Sequence, residues 1–224
     1  MDIGDRIARR AARALRGTRL VNLGIGIPCR IARYLNAEKV LLQSETGFIG
    51  YTPADTVRSD NAWAVDKQCI DAGGNLIELV PGGCHTGISE TFALMRSDRI
   101  DVSVLGAYQV DQQGFVASIG RSERSLRGYG GAMDLFVGAR RIVIAMSQVD
   151  GDGYSKIARR LCLPRTSQRP ADLVITEMAT FELLAGNLTL VEVAPEYHVS
   201  EVLSRTDAEV KVSSVLASGW DTND

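Results

Sequence analysis

The chain has 224 residues, of which 45% are hydrophobic and 23% charged, so it is long enough to bury a substantial core. We predict a single domain over residues 1–224. Its formal net charge of −2 provides no basic field for binding nucleic acid or an anionic membrane surface, and no apolar run is long enough to span a bilayer. Nucleic-acid binding and membrane insertion are therefore excluded from the expected functions.

The N-terminal segment predicts a surface helix. Apolar residues recur at helical spacing from Ile3 to Leu15, while Asp2 can cap the start of the helix and Gly17 can end it. A basic transit peptide is the alternative, since the segment is rich in arginine, but Asp2 and Asp5 argue against it.

Short apolar runs alternate with helical patterns along the rest of the chain. The runs that are typical of buried strands are residues 20–23, 40–42, 76–80, 102–105, 142–146, 173–176 and 188–193. Helical patterns lie between many of them, at residues 27–35, 89–95 and 131–137. This order predicts an α/β protein with an open, mostly parallel sheet flanked by helices. Residues 51–71 are polar and weakly periodic, which indicates an excursion over the surface.

Turns rich in glycine follow several of these strands, where open α/β sheets bind ligands. They are residues 24–28, 44–50, 81–83 and 128–131. Glu45 lies in the second of these turns, after the run 40–42, so its carboxylate is expected at the ligand-binding edge. From position alone, a role in capping a helix or facing solvent is favoured over a catalytic one.

Two further turns strengthen the case for a site. In the first, Gly24 and Gly26 would let a bulky ligand approach the backbone, and Pro28 starts a helix at a tolerated position. In the other, residues 128–131, glycines precede the predicted helix 131–137. The free backbone amide groups at the start of that helix favour binding of an anion. Each turn also has an ordinary structural explanation, as a tight strand-to-helix connection or as close packing of a helix on a sheet.

The motifs together resemble the beta subunit of family I CoA-transferases, a family typified by 3-oxoacid and 3-oxoadipate CoA-transferases. The likeness covers most of the chain. It is carried by LGIGIP, by SETGFIG where the family typically has a Ser-Glu-Asn-Gly turn, by VPGGCHTGISETFALMRSDRIDVSVLGAYQVDQQG and by GYGGAMDL, and continues more weakly to LTLVEVAP. So many motifs in one order are hard to obtain by chance. The resemblance implies a CoA-transferase fold.

The resemblance also implies a mechanism and a set of site residues. Glu45 would be the nucleophile that forms a glutamyl-CoA thioester, and the amide groups of Gly131 and Ala132 would hold a carboxylate or a developing oxyanion. Three glycines would lie near CoA, namely Gly24, Gly26 and Gly130. Coenzyme A would be a co-substrate, with no permanently bound cofactor. An alpha subunit would complete the site in a heterodimer or heterotetramer, and the substrates would be an acyl-CoA and a carboxylic acid.

This sequence departs from the family pattern beside the predicted nucleophile. Thr46 replaces the family's asparagine, which removes an amide donor, and residues 48–53 are bulkier than the usual segment. A CoA-thioester hydrolase or a decarboxylase of the same fold is therefore an alternative, although Glu45 argues against a decarboxylase. A binding module that senses sugar phosphates or acyl-CoA is a second alternative, which would be supported by a DNA-binding extension that the chain lacks.

Other reactive residues receive structural interpretations. The four cysteines form no Cys-x-x-Cys pair, and together with the two histidines they give no recognisable zinc site, so we predict no bound metal. Four cysteines in a chain of this size also indicate a reducing, cytoplasmic location. The adjacent Cys84 and His85 are expected to point apart. Three arginines before the last glycine turn are candidates to attract CoA phosphates or an acidic substrate, namely Arg121, Arg124 and Arg127.

Overall fold

The computed structural model describes residues 1–36, 39–56, 68–120 and 128–218. It divides the chain into two compact units, which are described in turn. The first unit comprises Met1–Gly106 and Gly130–Ile142, and the second comprises Ala107–Tyr129 and Val143–Asp224. That the whole chain acts as one domain stays a prediction.

The first unit contains five strands and four α-helices among its described residues. The helices are α1 (Ile3–Ala14), α2 (Ile27–Arg30), which continues into a 3-10 turn (Ile31–Tyr34), α3 (Ile88–Met95) and α4 (Ala132–Gly138). The strands are β1 (Leu20–Leu23), β2 (Leu41–Gln43), β3 (Phe48–Pro53), β4 (Ile77–His85) and β5 (Val102–Leu105). Asp2 caps α1 as predicted, because its carboxylate accepts the amide hydrogen of Asp5 at 2.7 Å.

The sheet of the first unit has the strand order β5-β1-β2-β3-β4. The strands β5, β1 and β2 run parallel, and their apolar side chains are largely buried, as the short apolar runs indicated. The strand β3 pairs antiparallel with β2, and β4 pairs antiparallel with β3. The connection from β2 to β3 is therefore a hairpin, and it is residues 44–47 of this hairpin that hold Glu45.

Two expectations for this region differ from the structure. Residues 81–83 do not form a turn, because β4 continues through them beside a register shift in its pairing with β3. Gly83 allows this close approach, since a Cβ atom there would collide with the carbonyl oxygen of Gly50. The predicted surface excursion over 51–71 begins instead with β3, where Tyr51 is buried. Residues 57–67 of that segment lie outside the described residues.

A buried contact fixes α3 against α4. A Cβ atom on Gly138 would collide with the carbonyl oxygen of Met95 and lie 2.5 Å from the Cα atom of Arg96, so backbone and not a movable side chain occupies the space. We expect Gly138→Ala to lower the free energy of unfolding by about 1–3 kcal/mol, the usual cost of overpacking. Urea denaturation measures this loss. Val137→Ala is the matched control, because Val137 is 75% exposed; an equal loss in both variants would contradict the packing argument.

Asp101 anchors the start of β1 and makes stability depend on pH. Its carboxylate accepts the amide hydrogens of Leu20 at 3.0 Å and Arg19 at 2.9 Å, and it faces Arg140. The hydrogen bond from Leu20, then that from Arg19 and the charge of Arg140, lower the pKa of Asp101 from 3.8. A lowered folded-state pKa gives stability that is full above the unfolded value and is lost as pH falls through the folded value.

We therefore expect Asp101→Asn to be less stable than the native chain at neutral pH. The difference should be full above pH 3.8 and should shrink as the pH falls below that value, where the native carboxylate becomes protonated. Urea midpoints measured for both proteins across this range test the expectation. A difference that is the same at every pH would show that the charge of Asp101 contributes nothing.

The second unit contains strands that pair in two sheets. One has the order β13-β12-β11-β10-β8 and the other β7-β6-β9. The strands are β6 (Gln109–Asp111), β7 (Val116–Ala117), β8 (Arg141–Ala145), β9 (Ile157–Ala158), β10 (Leu173–Ile175), β11 (Ala179–Leu184), β12 (Asn187–Val193) and β13 (Lys211–Val212). The first two residues of β8 belong to the first unit. Its described helices are α5 (Val199–Ser204) and α6 (Ser214–Ser218).

The larger sheet of the second unit contains both parallel and antiparallel pairs. The strands β8 and β10 are parallel, β11 and β12 form an antiparallel hairpin, and β13 returns parallel to β12. The predicted α/β class with an open sheet is confirmed. No helix among the described residues is both long and apolar enough to cross a membrane.

Candidate active site

Glu45 lies in a hairpin turn that is closed by backbone hydrogen bonds. The amide of Gly47 donates to the carbonyl oxygen of Ser44 at 3.0 Å, and the amide of Ser44 donates to that of Phe48 at 2.9 Å. Gly47 has a φ of +99°, a conformation that side chains rarely adopt, so glycine is needed there. The tight turn projects the Glu45 carboxylate, which is partly exposed, from the carboxyl end of β2.

The structure brings this carboxylate to the start of α4. The amide of Gly131 donates to Oε2 of Glu45 at 3.0 Å, a bond between residues that are 86 positions apart in the sequence. A Cβ atom on Gly131 would lie 2.7 Å from the same oxygen and would also collide with Cε of Met95, while one on Gly130 would lie 3.8 Å from the carboxylate. Two predicted site residues therefore lie directly against Glu45.

Ala132, the third residue predicted near this carboxylate, is the first residue of α4. The hydrogen bonds found within the described parts of the chain include none from its amide to Glu45. Its role at an oxyanion therefore stays a prediction.

The hydroxyl groups on either side of Glu45 form a network that the sequence did not reveal. Oγ1 of Thr46 lies 2.7 Å from Oγ of Ser44 and donates to the carbonyl oxygen of Ile70 at 2.8 Å. In the sequence, Thr46 was notable only because it replaces the family's asparagine and so lacks a side-chain amide donor. Its actual partner is 24 positions away, and no local pattern indicates such a contact.

The predicted CoA-binding glycines Gly24 and Gly26 follow β1. Gly24 packs against β5, where its amide donates to the carbonyl oxygen of Val104 at 2.9 Å and a Cβ atom would press on Leu105. Gly26 has a φ of +86° and faces open space. It lines a cavity of about 700 Å³, together with Ile25, Cys29, Arg30, Asp71 and other residues of the first unit. Glu45 is not part of that lining.

Cys29 is not a competing nucleophile. Its thiol donates to the carbonyl oxygen of Gly24 at 3.1 Å. Burial, reinforced by the negative charge of Asp71, raises the pKa of Cys29 to about 12. The thiol therefore stays protonated at neutral pH, and the thiolate that nucleophilic catalysis requires is absent.

Among the described residues, the remaining reactive side chains do not assemble into a second site. Cys84 and His85 are consecutive residues of β4, so their side chains point to opposite faces, and the His85 ring instead lies 4.9 Å from that of Phe48. No cluster of three or more histidine, cysteine or acidic side chains suited to a metal is found in the described ranges. The candidate phosphate contacts Arg121, Arg124 and Arg127 lie outside the described residues.

Comparison with known proteins identifies the class. A sequence model of the coenzyme A transferase family matches residues 5–205. The chain is 38% identical over 217 residues to the beta subunit of the acetate CoA-transferase of Escherichia coli K12, covering 96% of this chain and 97% of that one. It is 36% identical over 215 residues to one of the subunits of a probable succinyl-CoA:3-ketoacid coenzyme A transferase of Bacillus subtilis, covering 95% of this chain and 97% of that one.

Among solved structures, the fold is similar to that of an acyl-CoA transferase apoenzyme, YdiF, from Escherichia coli O157:H7. The TM-score is 0.74 and the identity 24%, over 96% of this chain. This chain covers 42% of that longer one.

The chain belongs to the coenzyme A transferase family. The predicted family and the enzyme class, a CoA-transferase, are confirmed. The two bacterial relatives, which it matches along nearly their whole length, are both named as subunits, and the one from Escherichia coli is named as beta.

Proposed function

We propose that this chain is the catalytic beta subunit of an acyl-CoA:carboxylate CoA-transferase that works through a glutamyl-CoA thioester on Glu45. The observation that carries the proposal is the placement of the Glu45 carboxylate at the carboxyl end of β2, where Gly131 donates a hydrogen bond to it at 3.0 Å. The proposed donor of CoA is succinyl-CoA and the proposed acceptor a 3-oxoacid, in line with the name of the relative from Bacillus subtilis.

The first half of the reaction transfers CoA to the enzyme. One oxygen of Glu45 attacks the thioester carbonyl of the acyl-CoA, the C–S bond breaks, and CoA leaves as a thiolate. A thiolate is a good leaving group, since ordinary thiols have a pKa of about 8.5. The product is a mixed anhydride. The thiolate then attacks the Cδ carbonyl of Glu45 and releases the first acid as a carboxylate, which leaves CoA on Glu45 as a thioester.

The second half reverses these steps with a different acid. The incoming carboxylate attacks Cδ of the glutamyl thioester and releases the thiolate, and the thiolate then attacks the new acyl carbonyl. The new acyl-CoA leaves and the Glu45 carboxylate is restored. Because one thioester is exchanged for another, no proton, electron or ATP is consumed.

Gly131 has a specific part in this sequence. Two of the four attacks occur at Cδ of Glu45, and in each of them the remaining oxygen of Glu45 becomes an oxyanion. A backbone amide that already donates to Oε2 at 3.0 Å is in position to stabilise that charge. The amide requires no reorganisation during the reaction, because it is fixed at the start of α4.

The proposal includes an alpha subunit. The relatives that match this chain along nearly all of their length are named as subunits, whereas the solved acyl-CoA transferase chain is more than twice as long. A second polypeptide would supply the corresponding part here and would complete the pocket for the acyl group. Coenzyme A enters as a co-substrate.

Dependence on an acceptor tests the reaction class. The chain is purified in complex with its alpha subunit and given succinyl-CoA, and free CoA and new acyl-CoA are measured with and without a 3-oxoacid. A transferase forms acyl-CoA only when the acceptor is present and releases little free CoA. Release of CoA at the same rate without any acceptor would identify a hydrolase, and absence of all turnover, with a panel of acyl-CoA donors and acids, would favour a binding module.

A further inference from the structure

The hydroxyl of Thr46 has its single hydrogen committed to one partner. It lies 2.8 Å from the carbonyl oxygen of Ile70, and a carbonyl oxygen can only accept. In the 2.7 Å contact between the hydroxyls of Ser44 and Thr46, the donor must therefore be Ser44. The network has one direction, from Ser44 through Thr46 to Ile70.

Both ends of this network are fixed. Ser44 is fully buried at the end of β2. At the other end, Ile70 precedes Asp71, which is only 5% exposed and accepts hydrogen bonds from the amides of Gly73 at 2.8 Å and Asn75 at 2.9 Å. The side-chain amide of Asn75 adds two further bonds to the same carboxylate. The carbonyl group of Ile70 is thus held by a well-bonded turn, residues 71–75.

Glu45 lies between the two hydroxyl-bearing residues. Its carboxylate is held at one point, by Gly131, while the backbone on either side is held through Ser44 and Thr46. Backbone hydrogen bonds close the hairpin from Ser44 to Phe48 but do not reach the 71–75 turn. Within the described residues, the Thr46 hydroxyl links the tip of the hairpin to Ile70, the residue that precedes that turn.

We propose that Thr46 is a positioning residue for Glu45, through a hydroxyl tether from the hairpin to the carbonyl group of Ile70. The inference rests on the proposed function, since it assigns the tether to the step in which the carboxylate attacks. Thr46 therefore keeps a hydrogen-bonding role at the position where the family has asparagine. Its hydroxyl, in place of the asparagine side-chain amide, holds the backbone next to the nucleophile.

The test compares Thr46→Val, which keeps the shape but removes the hydroxyl, with Thr46→Ser, which keeps the hydroxyl. For Thr46→Val we expect kcat for CoA transfer to fall by about fivefold to tenfold, the factor that loss of one such hydrogen bond amounts to, with KM for the acyl-CoA changed by less than about twofold. Thr46→Ser should retain at least about half of the native kcat. The alpha-beta complex is used throughout.

Thr18→Val is the matched control. The hydroxyl of Thr18 also donates to a backbone carbonyl, that of Leu15 at 2.6 Å, but Thr18 lies beyond the end of α1. Its loss should leave kcat unchanged. A purely structural role of Thr46 would instead lower the melting temperature of Thr46→Val and leave kcat per folded molecule intact.

The outcomes separate this inference from the proposed function. If the native complex forms no glutamyl thioester, the proposed function fails whatever the variants do. If the native complex forms the thioester and Thr46→Val matches it in kcat, or if Thr46→Ser is as impaired as Thr46→Val, the tether inference alone is overturned.

Discussion

Glu45→Gln is expected to abolish CoA transfer, with a loss of at least about a thousandfold in kcat. The substitution keeps the shape of the side chain, and the amide oxygen of glutamine can still accept the hydrogen bond from Gly131. What disappears is the charged oxygen that attacks the thioester. An amide is too weak a nucleophile to form the anhydride, so steady-state rates measured with the native alpha subunit should fall to background.

The control for this prediction is Glu209→Gln, which removes a carboxylate that is 74% exposed and paired with Arg159 at 3.2 Å. An ion pair so exposed contributes little to stability. Glu209→Gln should keep native activity. Both variants should have the same urea midpoint of unfolding as the native protein. Full transfer by Glu45→Gln would remove Glu45 from the mechanism.

Gly131→Ala is expected to lower kcat by about a hundredfold while the fold is retained, because removing one oxyanion donor has an effect of this size. The backbone conformation of Gly131, with φ −79° and ψ 0°, is open to alanine. The added methyl group, however, would lie 2.7 Å from Oε2 of Glu45, so the carboxylate would have to leave its hydrogen bond. The Met95 side chain can move aside more readily than α4 can.

Gly151→Ala provides the comparison for this variant, because a Cβ atom there would meet nothing within 4 Å. It should transfer CoA at the native rate. If Gly131→Ala did the same, the hydrogen bond between Gly131 and Glu45 would have no part in catalysis. A loss of activity in Gly131→Ala that is matched by loss of cooperative unfolding would instead point to misfolding.

The sequence predicted the parallel strands well because their signal is local. The runs 20–23 and 102–105 coincide with β1 and β5, since fully buried parallel strands are continuously apolar. The strands β3 and β11, which form hairpins with β2 and β12 respectively, were not predicted. In β3 buried and half-buried residues alternate irregularly around Gly50, so neither a period of two nor a continuous apolar run is present.

The candidate site was predictable in its residue types but not in its contacts. Glycine turns and the family resemblance pointed to Glu45 and Gly131, and the structure places them 3.0 Å apart. The sequence carried no sign that Met95 packs on Gly131 or that Thr46 bonds to Ile70, because each pair meets only when separate strands and helices assemble. Such contacts depend on tertiary structure.

Identification of the residue that carries CoA tests the proposed mechanism directly. The alpha-beta complex is incubated with succinyl-CoA alone and treated with sodium borohydride, which reduces a thioester to an alcohol, or with hydroxylamine, which converts it to a hydroxamate. Peptide mass spectrometry then locates the change. We expect modification of Glu45 that disappears when the excess succinyl-CoA is removed and a 3-oxoacid is added before trapping. Active transfer with an unmodified Glu45, or with the adduct on another residue, would contradict it.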